Sequence, residues 1–200
     1  MTWLVAGLGN PGDRYARTRH NAGAIVVELL AEHAGQRFRK ARFLPVETAE
    51  VRFGYGEDAE RMVLAKSLQF MNVSGPALAS MAKRLRIGVD RMIACHDEID
   101  LPFGTLRVNR GGSTAGHHGL DSMVRGFRSP DFYRVRLGVG RPPGRVETHP
   151  DWLLEPFSKR EWPEVEILIA DGADAVRSLV TDGLAATQER FNRGGTRPER

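Results

Sequence analysis

Cysteine is nearly absent from this chain of 200 residues: Cys95 is its single example, so no disulfide can form within it. Its surroundings, the apolar run "MIACHDE", predict a thiol buried in a strand. No apolar stretch is long enough to cross a bilayer. Nor does a basic segment precede a long apolar one at Met1-Thr2-Trp3, as it would in a secretory leader. These absences set aside a disulfide scaffold and a membrane protein, and a cytoplasmic location is the expectation. Lysine is scarce too. Of 29 Lys plus Arg, only Lys40, Lys66, Lys83 and Lys159 are lysine, leaving 25 arginines.

What remains is the composition of an ordinary soluble domain, 41% hydrophobic and 27% charged, long enough for one sizeable core rather than two. The net charge of +4 is compatible with a polyanionic partner, since guanidinium grips phosphate through paired hydrogen bonds. An arginine-rich genome would give the same count, so charge alone does not choose between the two. The closing stretch "RGGTRPER" has no apolar anchor and reads as a mobile basic tail, 193–200, after a domain of 1–192.

Along the chain, strand patterns alternate with helical ones. "WLVAG" reads as a strand, and "NAGAIVVELLAEHAG" has the helical period, with Asn21 as N-cap and Gly35 as stop. "VETAEVRFG" and "RMVLAKSL" read as strands, and Ser74 caps a helix that runs to about Arg86. "RMIACHD" and "TLRVNR" are strands, "LDSMVRGF" a helix and "YRVRLGVG" a strand. A long helix starts near Lys159, with Pro163 in its first turn, and a second follows Asp182. The pattern predicts a single α/β domain with a mixed central sheet, helices on both faces and a helical C-terminus.

The opening stretch "WLVAGLGNPGDRYARTRHNAG" contains Gly7, Gly9 and Gly12 at the GxGxxG spacing of a dinucleotide loop. In that fold a helix begins at once at the third glycine, and an acidic residue closes the next strand about twenty residues on. Here Pro11 precedes Gly12, the polar "DRYARTRH" follows, and Glu28 and Glu32 fall inside a helical pattern. The better reading is a tight turn that projects Asn10 from the end of the first strand and lets a ligand approach the backbone.

Other polar residues leave strand ends. "SLQFMNVSG" places Phe70, Met71 and Asn72 between a strand and a helix, "ACHDEIDLPFG" places His96, Asp97 and Asp100, and "GGSTAGHHG" puts His117 and His118 in a glycine-rich loop. Open α/β sheets bind ligands beyond the carboxyl ends of their strands, so these residues and His20 are candidates for one pocket. His, Asp and Asn suit hydrolysis: imidazole takes a proton from water, carboxylate fixes its tautomer, and amides steady a carbonyl oxygen. Each also has a plainer reading. A loop histidine is more often structural, Asn after glycine is turn chemistry, Asp97 caps a turn, Met71 fills core, and Arg14, Arg17 and Arg19 form a solvated face.

Two rival chemistries fit less well. "GGSTA" lacks the last glycine of a GxSxG elbow, which makes Ser113 a poor nucleophile. A metal could draw on His96, Asp97, His117 and His118, but neighbours on an extended segment point apart and no HExxH or CxxC spacing occurs, so no metal is expected.

The segments "GLGNPGDRYARTRHNAG", "FMNVSG", "HDEIDLPFG" and "GHHGL" resemble, in order and spacing, the signatures of bacterial peptidyl-tRNA hydrolases, from the first strand through "YRVRLGVGRP". The resemblance implies cleavage of the ester joining peptide to tRNA, without a cofactor. His20 would be the general base and Asp97 would stabilise its protonated form. Asn10 would separate peptidylated from unblocked aminoacyl substrates, and Asn72 would bind the substrate backbone near the ester. Tyr15, Phe70 and Met71 would line the cleft and His117 its wall. The implied partner is peptidyl-tRNA, through its acceptor stem and 3′ end, met by a monomer.

Two positions depart from the pattern. Family members commonly have Asn where this chain has His118. A lysine and an arginine commonly clamp a tRNA phosphate; Arg136 matches the arginine, but Asn109 takes the lysine's place, with Arg107 or Arg110 left to supply the charge. A charged His118 beside His20 would make substrate binding pH-sensitive, whereas a neutral one would span the amide's contact. The alternative readings are an idle RNA-binding relative, which would not require His20, Asp97 and Asn10 together, and a nucleoside-processing enzyme on a similar sheet.

Overall fold

The computed structural model describes residues 1–54, 59–142, 144 and 151–192; the tail expected at 193–200 lies outside them. Seven strands form one sheet: β1 (Thr2–Gly7), β2 (Arg39–Lys40), β3 (Val46–Phe53), β4 (Glu60–Ser67), β5 (Met92–Glu98), β6 (Leu106–Arg110) and β7 (Tyr133–Gly138). Their order is β2-β3-β4-β1-β5-β7-β6. The central four, β4-β1-β5-β7, are parallel, and the flanking pairs β2-β3, β3-β4 and β6-β7 are antiparallel. Parallel strands are covered on both faces, which is why β5, "MIACHDE", is buried at every residue.

The helices are α1 (Ala22–His33), α2 (Gly75–Leu85), α3 (His118–Phe127), α4 (Trp162–Thr181) and α5 (Gly183–Phe191). One core lies between the sheet and α1 with α4, through Val26, Leu30, Ile93, Leu137, Leu168 and Val176. The other lies beneath α2 and α3, through Leu4, Ala94, Leu78, Met81, Leu120 and Met123. Each fully buried branched side chain contributes roughly 1.5–3 kcal/mol to holding these layers. No helix among the described residues is long and apolar enough to cross a membrane.

The architecture is the single α/β domain expected, with local corrections. The edge strand β2 has only two residues, both exposed, and carries no alternation to read. The long helix α4 begins at Trp162, three residues later than Lys159, because Ser158 and Glu161 first exchange backbone and side-chain hydrogen bonds as a capping box. Ser74 precedes α2, but its hydroxyl donates back to the carbonyl of Met71 instead of capping. His118 is the first residue of α3, with His117 as its cap, not part of a loop.

The opening glycines serve the protein's own packing. A Cβ at Gly7 would lie 2.6 Å from the Gly23 carbonyl oxygen, and one at Gly23 would lie 2.0 Å from that of Cys95. The N-terminus of α1 therefore rests directly on β1 and β5, and it is this helix, not a ligand, that needs Gly7 and Gly9. Only Gly12, with φ of 101°, answers to a turn, and nothing approaches within 4 Å of its Cβ direction.

Candidate active site

Strands β1, β4 and β5 end side by side, so the residues following them share one crevice. Asn10 follows β1, and the side chain of Asn21 holds it from both sides. The Asn10 backbone N–H donates to Asn21 Oδ1 (2.9 Å) and its carbonyl accepts from Asn21 Nδ2 (2.9 Å). Asn21 sits at the N-cap position of α1 yet makes no cap bond; the same amide chemistry is spent across the turn. Asn10 Oδ1 in turn accepts the N–H of Met71 (3.0 Å), which ties β1 to the segment after β4 and leaves the Asn10 Nδ2 group uncommitted among the described residues.

His20 lies in a short 3-10 turn, Arg19–Asn21, leading into α1. Its Nδ1 is 2.9 and 3.0 Å from the two carboxylate oxygens of Asp97. His117 comes in from the other side, its Nε2 2.9 Å from Asp97 Oδ1, while its Nδ1 accepts the N–H of Leu120 (3.2 Å) at the start of α3. That cap fixes the His117 tautomer: Nδ1 is an acceptor, so Nε2–H donates to Asp97. The Asp97 side chain is 1% exposed, those of His20 and His117 12% and 10%.

Burial alone would push the Asp97 carboxyl up, but the two imidazoles hold it far below the usual carboxylate range. Burial likewise acts to lower His20, and the charge and hydrogen bond of Asp97 overcome it, so the imidazole lies above its ordinary value. With Nδ1–H given to Asp97, the lone pair of His20 sits on Nε2, ready to take a proton from water.

Arg19, read above as part of a solvated face, is 3% exposed. Its guanidinium stacks on Trp152 (3.6 Å) and donates to Glu161 Oε1 (2.8 Å) and to the carbonyls of Glu155 and Pro156. Thr18 forms a β-bridge with Pro156 alongside. The turn that carries His20 is thus strapped to a segment more than 130 residues away, and no local pattern announces it.

The same fold and segments occur in known proteins. The family model described as peptidyl-tRNA hydrolase matches residues 4–199. This chain belongs to the peptidyl-tRNA hydrolase family. The peptidyl-tRNA hydrolase of Kineococcus radiotolerans is 44% identical over 193 residues, 95% of this chain and 96% of that one. That of Frankia alni is 45% identical over 190 residues, covering 95% and 93%. The crystal structure of the Acinetobacter baumannii peptidyl-tRNA hydrolase superposes with a TM-score of 0.83 at 30% identity, covering 96% of this chain and 95% of that one.

In this member of the family the remaining predicted residues are distributed as follows. Tyr15 and Phe70 meet edge to face, ring centroids 6.4 Å apart, with the Arg14 guanidinium 4.4 Å from the Tyr15 ring. Phe70 is 53% exposed, whereas Met71 is buried in the core and offers the site its backbone N–H. Asn72 is exposed beside them, its carbonyl accepting from Arg125. His118 is exposed on the first turn of α3. Arg136 lies on β7 two strands from β1, with Nε and Nη2 both on Glu98 Oε2 (3.1 and 3.0 Å). Arg107 donates to the Asn192 carbonyl and Arg110 to that of Asp131, so both candidates for the missing lysine charge are engaged elsewhere.

A His/Asp/His set does assemble, though from a different membership than expected: ligand-type atoms of His20, Asp97 and His117 lie within 4.8 Å of one another. Both facing nitrogens carry protons donated to the carboxylate, so a cation could enter only by displacing them.

Proposed function

We propose that His20 activates the water that cleaves the ester between peptide and tRNA, and that Asp97 stabilises the imidazolium formed. The observation that carries this reading is His20 Nδ1 at 2.9 and 3.0 Å from both oxygens of an Asp97 side chain that is 1% exposed. A buried carboxylate in that position fixes the tautomer with Nε2 unprotonated and repays the charge His20 acquires as it takes the proton. The His117 Nε2–H keeps the carboxylate from rotating away.

The uncommitted Nδ2 of Asn10 is the donor that meets the acylated nitrogen end of the substrate, and Asn72 binds its backbone near the ester. Tyr15 and Phe70 form the apolar wall, Met71 fixes Asn10, and His118 borders the entrance. Arg136, with Nη1 left after its two bonds to Glu98, takes a phosphate of the acceptor stem. Action as a monomer in the cytoplasm belongs to the same reading. Purified protein should cleave peptidyl-tRNA and its His20→Ala variant should not do so at a comparable rate; an inert parent protein would overturn the reading.

A further inference from the structure

The hydrolytic centre divides the edge of the sheet. In the function proposed above, the RNA leaves the ester on the β7 side, where Arg136 keeps Nη1 for a phosphate, and Asn10 and Asn72 meet the peptide. Strand order then sends the peptide the other way, from β1 past β4 to β3. On that side β3 begins where β4 ends, with Val46 opposite Ser67 and the Leu68 N–H donating to the Pro45 carbonyl (2.8 Å). The turn 41–45, between β2 and β3, therefore stands beside the segment that carries Phe70 and Asn72. Two strand spacings separate β1 from β3, roughly 10 Å, which about three residues of extended peptide can cover.

Two pairs of an aromatic ring and a guanidinium flank this path. At its start, the Arg14 guanidinium lies 4.4 Å from the Tyr15 ring and donates to the Tyr15 hydroxyl, and Tyr15 meets Phe70 edge to face. At its far end, the Arg42 guanidinium lies 4.7 Å from the Phe43 ring. Phe43 is 83% exposed and has φ of 67°, in a turn where the Leu44 N–H donates to the Ala41 carbonyl (3.5 Å). A bulky side chain is costly in that left-handed region, where glycine or asparagine is usual. Backbone strain gathers at ligand-binding segments, and this ring gains no burial in the free protein to offset it.

The charge along the path is of one sign. Segments 10–15, 41–45 and 68–73 hold a single carboxylate, Asp13, against Arg14 and Arg42. Two more guanidinium groups lean on the same backbone from the helices, Arg84 on the carbonyl of Arg42 (2.7 Å) and Arg125 on that of Asn72 (3.2 Å). All four arginines are exposed, and none is in an ion pair among the described residues. A path lined by one sign of charge draws in ligands of the other. An RNA backbone could meet the same groups, but the ester to be cut puts the RNA on the opposite side of Asn10.

We propose that the peptide of the substrate runs from Asn72 over Phe70 toward Phe43, and that Arg14 and Arg42 make the protein prefer peptides with carboxylate side chains. This rests on peptidyl-tRNA being the substrate. The test uses one tRNA carrying acetylated pentapeptides, four glutamates, four glutamines or four lysines followed by the esterified alanine. The glutamate peptide should be cleaved with kcat/KM about fivefold above the glutamine one, and the lysine peptide about fivefold below it, the scale of exposed ion pairs. The spread should narrow as salt rises. Arg14→Gln with Arg42→Gln should bring the three peptides within about twofold of one another, and Arg14→Glu with Arg42→Glu should reverse their order. Equal kcat/KM for the three in the parent protein would overturn the proposal. So would a loss in the paired variants that is the same for every peptide, which would assign both guanidinium groups to RNA phosphates. Affinity for the same peptides joined to the tRNA through an amide, which withstands hydrolysis, is measured alongside. A charge preference in binding without ester cleavage would overturn the activity and leave the peptide path standing; cleavage with no charge preference would do the reverse.

Discussion

His20 and His96 both bond to Asp97 and both are largely withdrawn from water, yet they are driven in opposite directions. His20 meets the carboxylate and lies above the ordinary imidazole value, whereas His96 meets only the backbone carbonyl and is pushed down to about 3. Burial disfavours the charged form in both; the partner decides the sign. Strand β5 thereby turns a carboxylate toward His20 on one face and a neutral imidazole to the other.

The largest expected effect removes the catalytic side of this comparison. His20→Ala should lower turnover by about 10²-fold or more, the usual scale for losing a general base, with an unchanged circular-dichroism spectrum. Near-normal turnover in the purified variant would reassign the base.

Asp97→Asn tests whether the carboxylate sets the difference between the two histidines. With it gone, burial alone acts on His20 and its pKa falls, so the acid limb of the rate profile should move to lower pH. The plateau should drop by about tenfold or more, because an amide cannot stabilise imidazolium. Stability follows the same pair. A raised His20 contributes stability present below its unfolded value, about 6.5, and lost as pH rises through the folded one. A depressed Asp97 contributes above about 3.9, and this is lost only as pH falls through its folded value. Thermal melts should therefore separate parent and variant more at pH 5 than at pH 8, and an equal gap at both would break the pairing.

How much of this was legible in the sequence depends on how local each cause is. β1, β4 and β5 are legible because burial on both faces gives apolar runs, β7 because arginine alternates with apolar residues along it, and Asn10 and His20 because they share one contiguous motif, with Asp97 in a second at the end of β5. Asn21 occupies the N-cap position that the sequence predicts, but its amide braces the Asn10 turn instead of capping, since the two uses differ only in where the chain folds back. Arg19 was lost among Arg14 and Arg17 because Trp152, Phe157 and Glu161, its partners, are distant in sequence. His96 was grouped with Asp97 at one strand end, although strand alternation separates them.

Asn21 and Arg19 supply the intermediate effects. Asn21→Ala leaves the Asn10 N–H and carbonyl unpaired and should lower kcat/KM about tenfold, the lower part of the range for orphaned polar groups. If Asn10 positions substrate, most of the loss should appear in KM, and an effect confined to kcat would place Asn10 in the chemistry itself. Arg19→Lys retains the charge but not the planar fork that meets Glu161 and two carbonyls while stacking on Trp152. It should lower kcat roughly fivefold through a displaced His20 and change KM little. A KM effect without a kcat effect would show that the strap serves binding instead.

The smallest effect is expected at His118, although it is a conspicuous departure from the family pattern. A charged imidazole there would oppose imidazolium formation at His20 only if the two rings shared a desolvated pocket. His118 is instead exposed on the first turn of α3, and the ring beside His20, at 5.2 Å, is that of His117. Between exposed charges, water and salt screen most of the interaction. His118→Asn should accordingly keep kcat/KM within about twofold of the parent, the scale of surface substitutions. The pH dependence of KM should also be unchanged between about pH 5 and 8, where an ordinary imidazole changes charge. The decisive measurement is that KM profile in the two proteins. A dependence that flattens in His118→Asn would mean that the exposed ring reaches the bound substrate, and that the entrance to the site carries a titrating contact of its own.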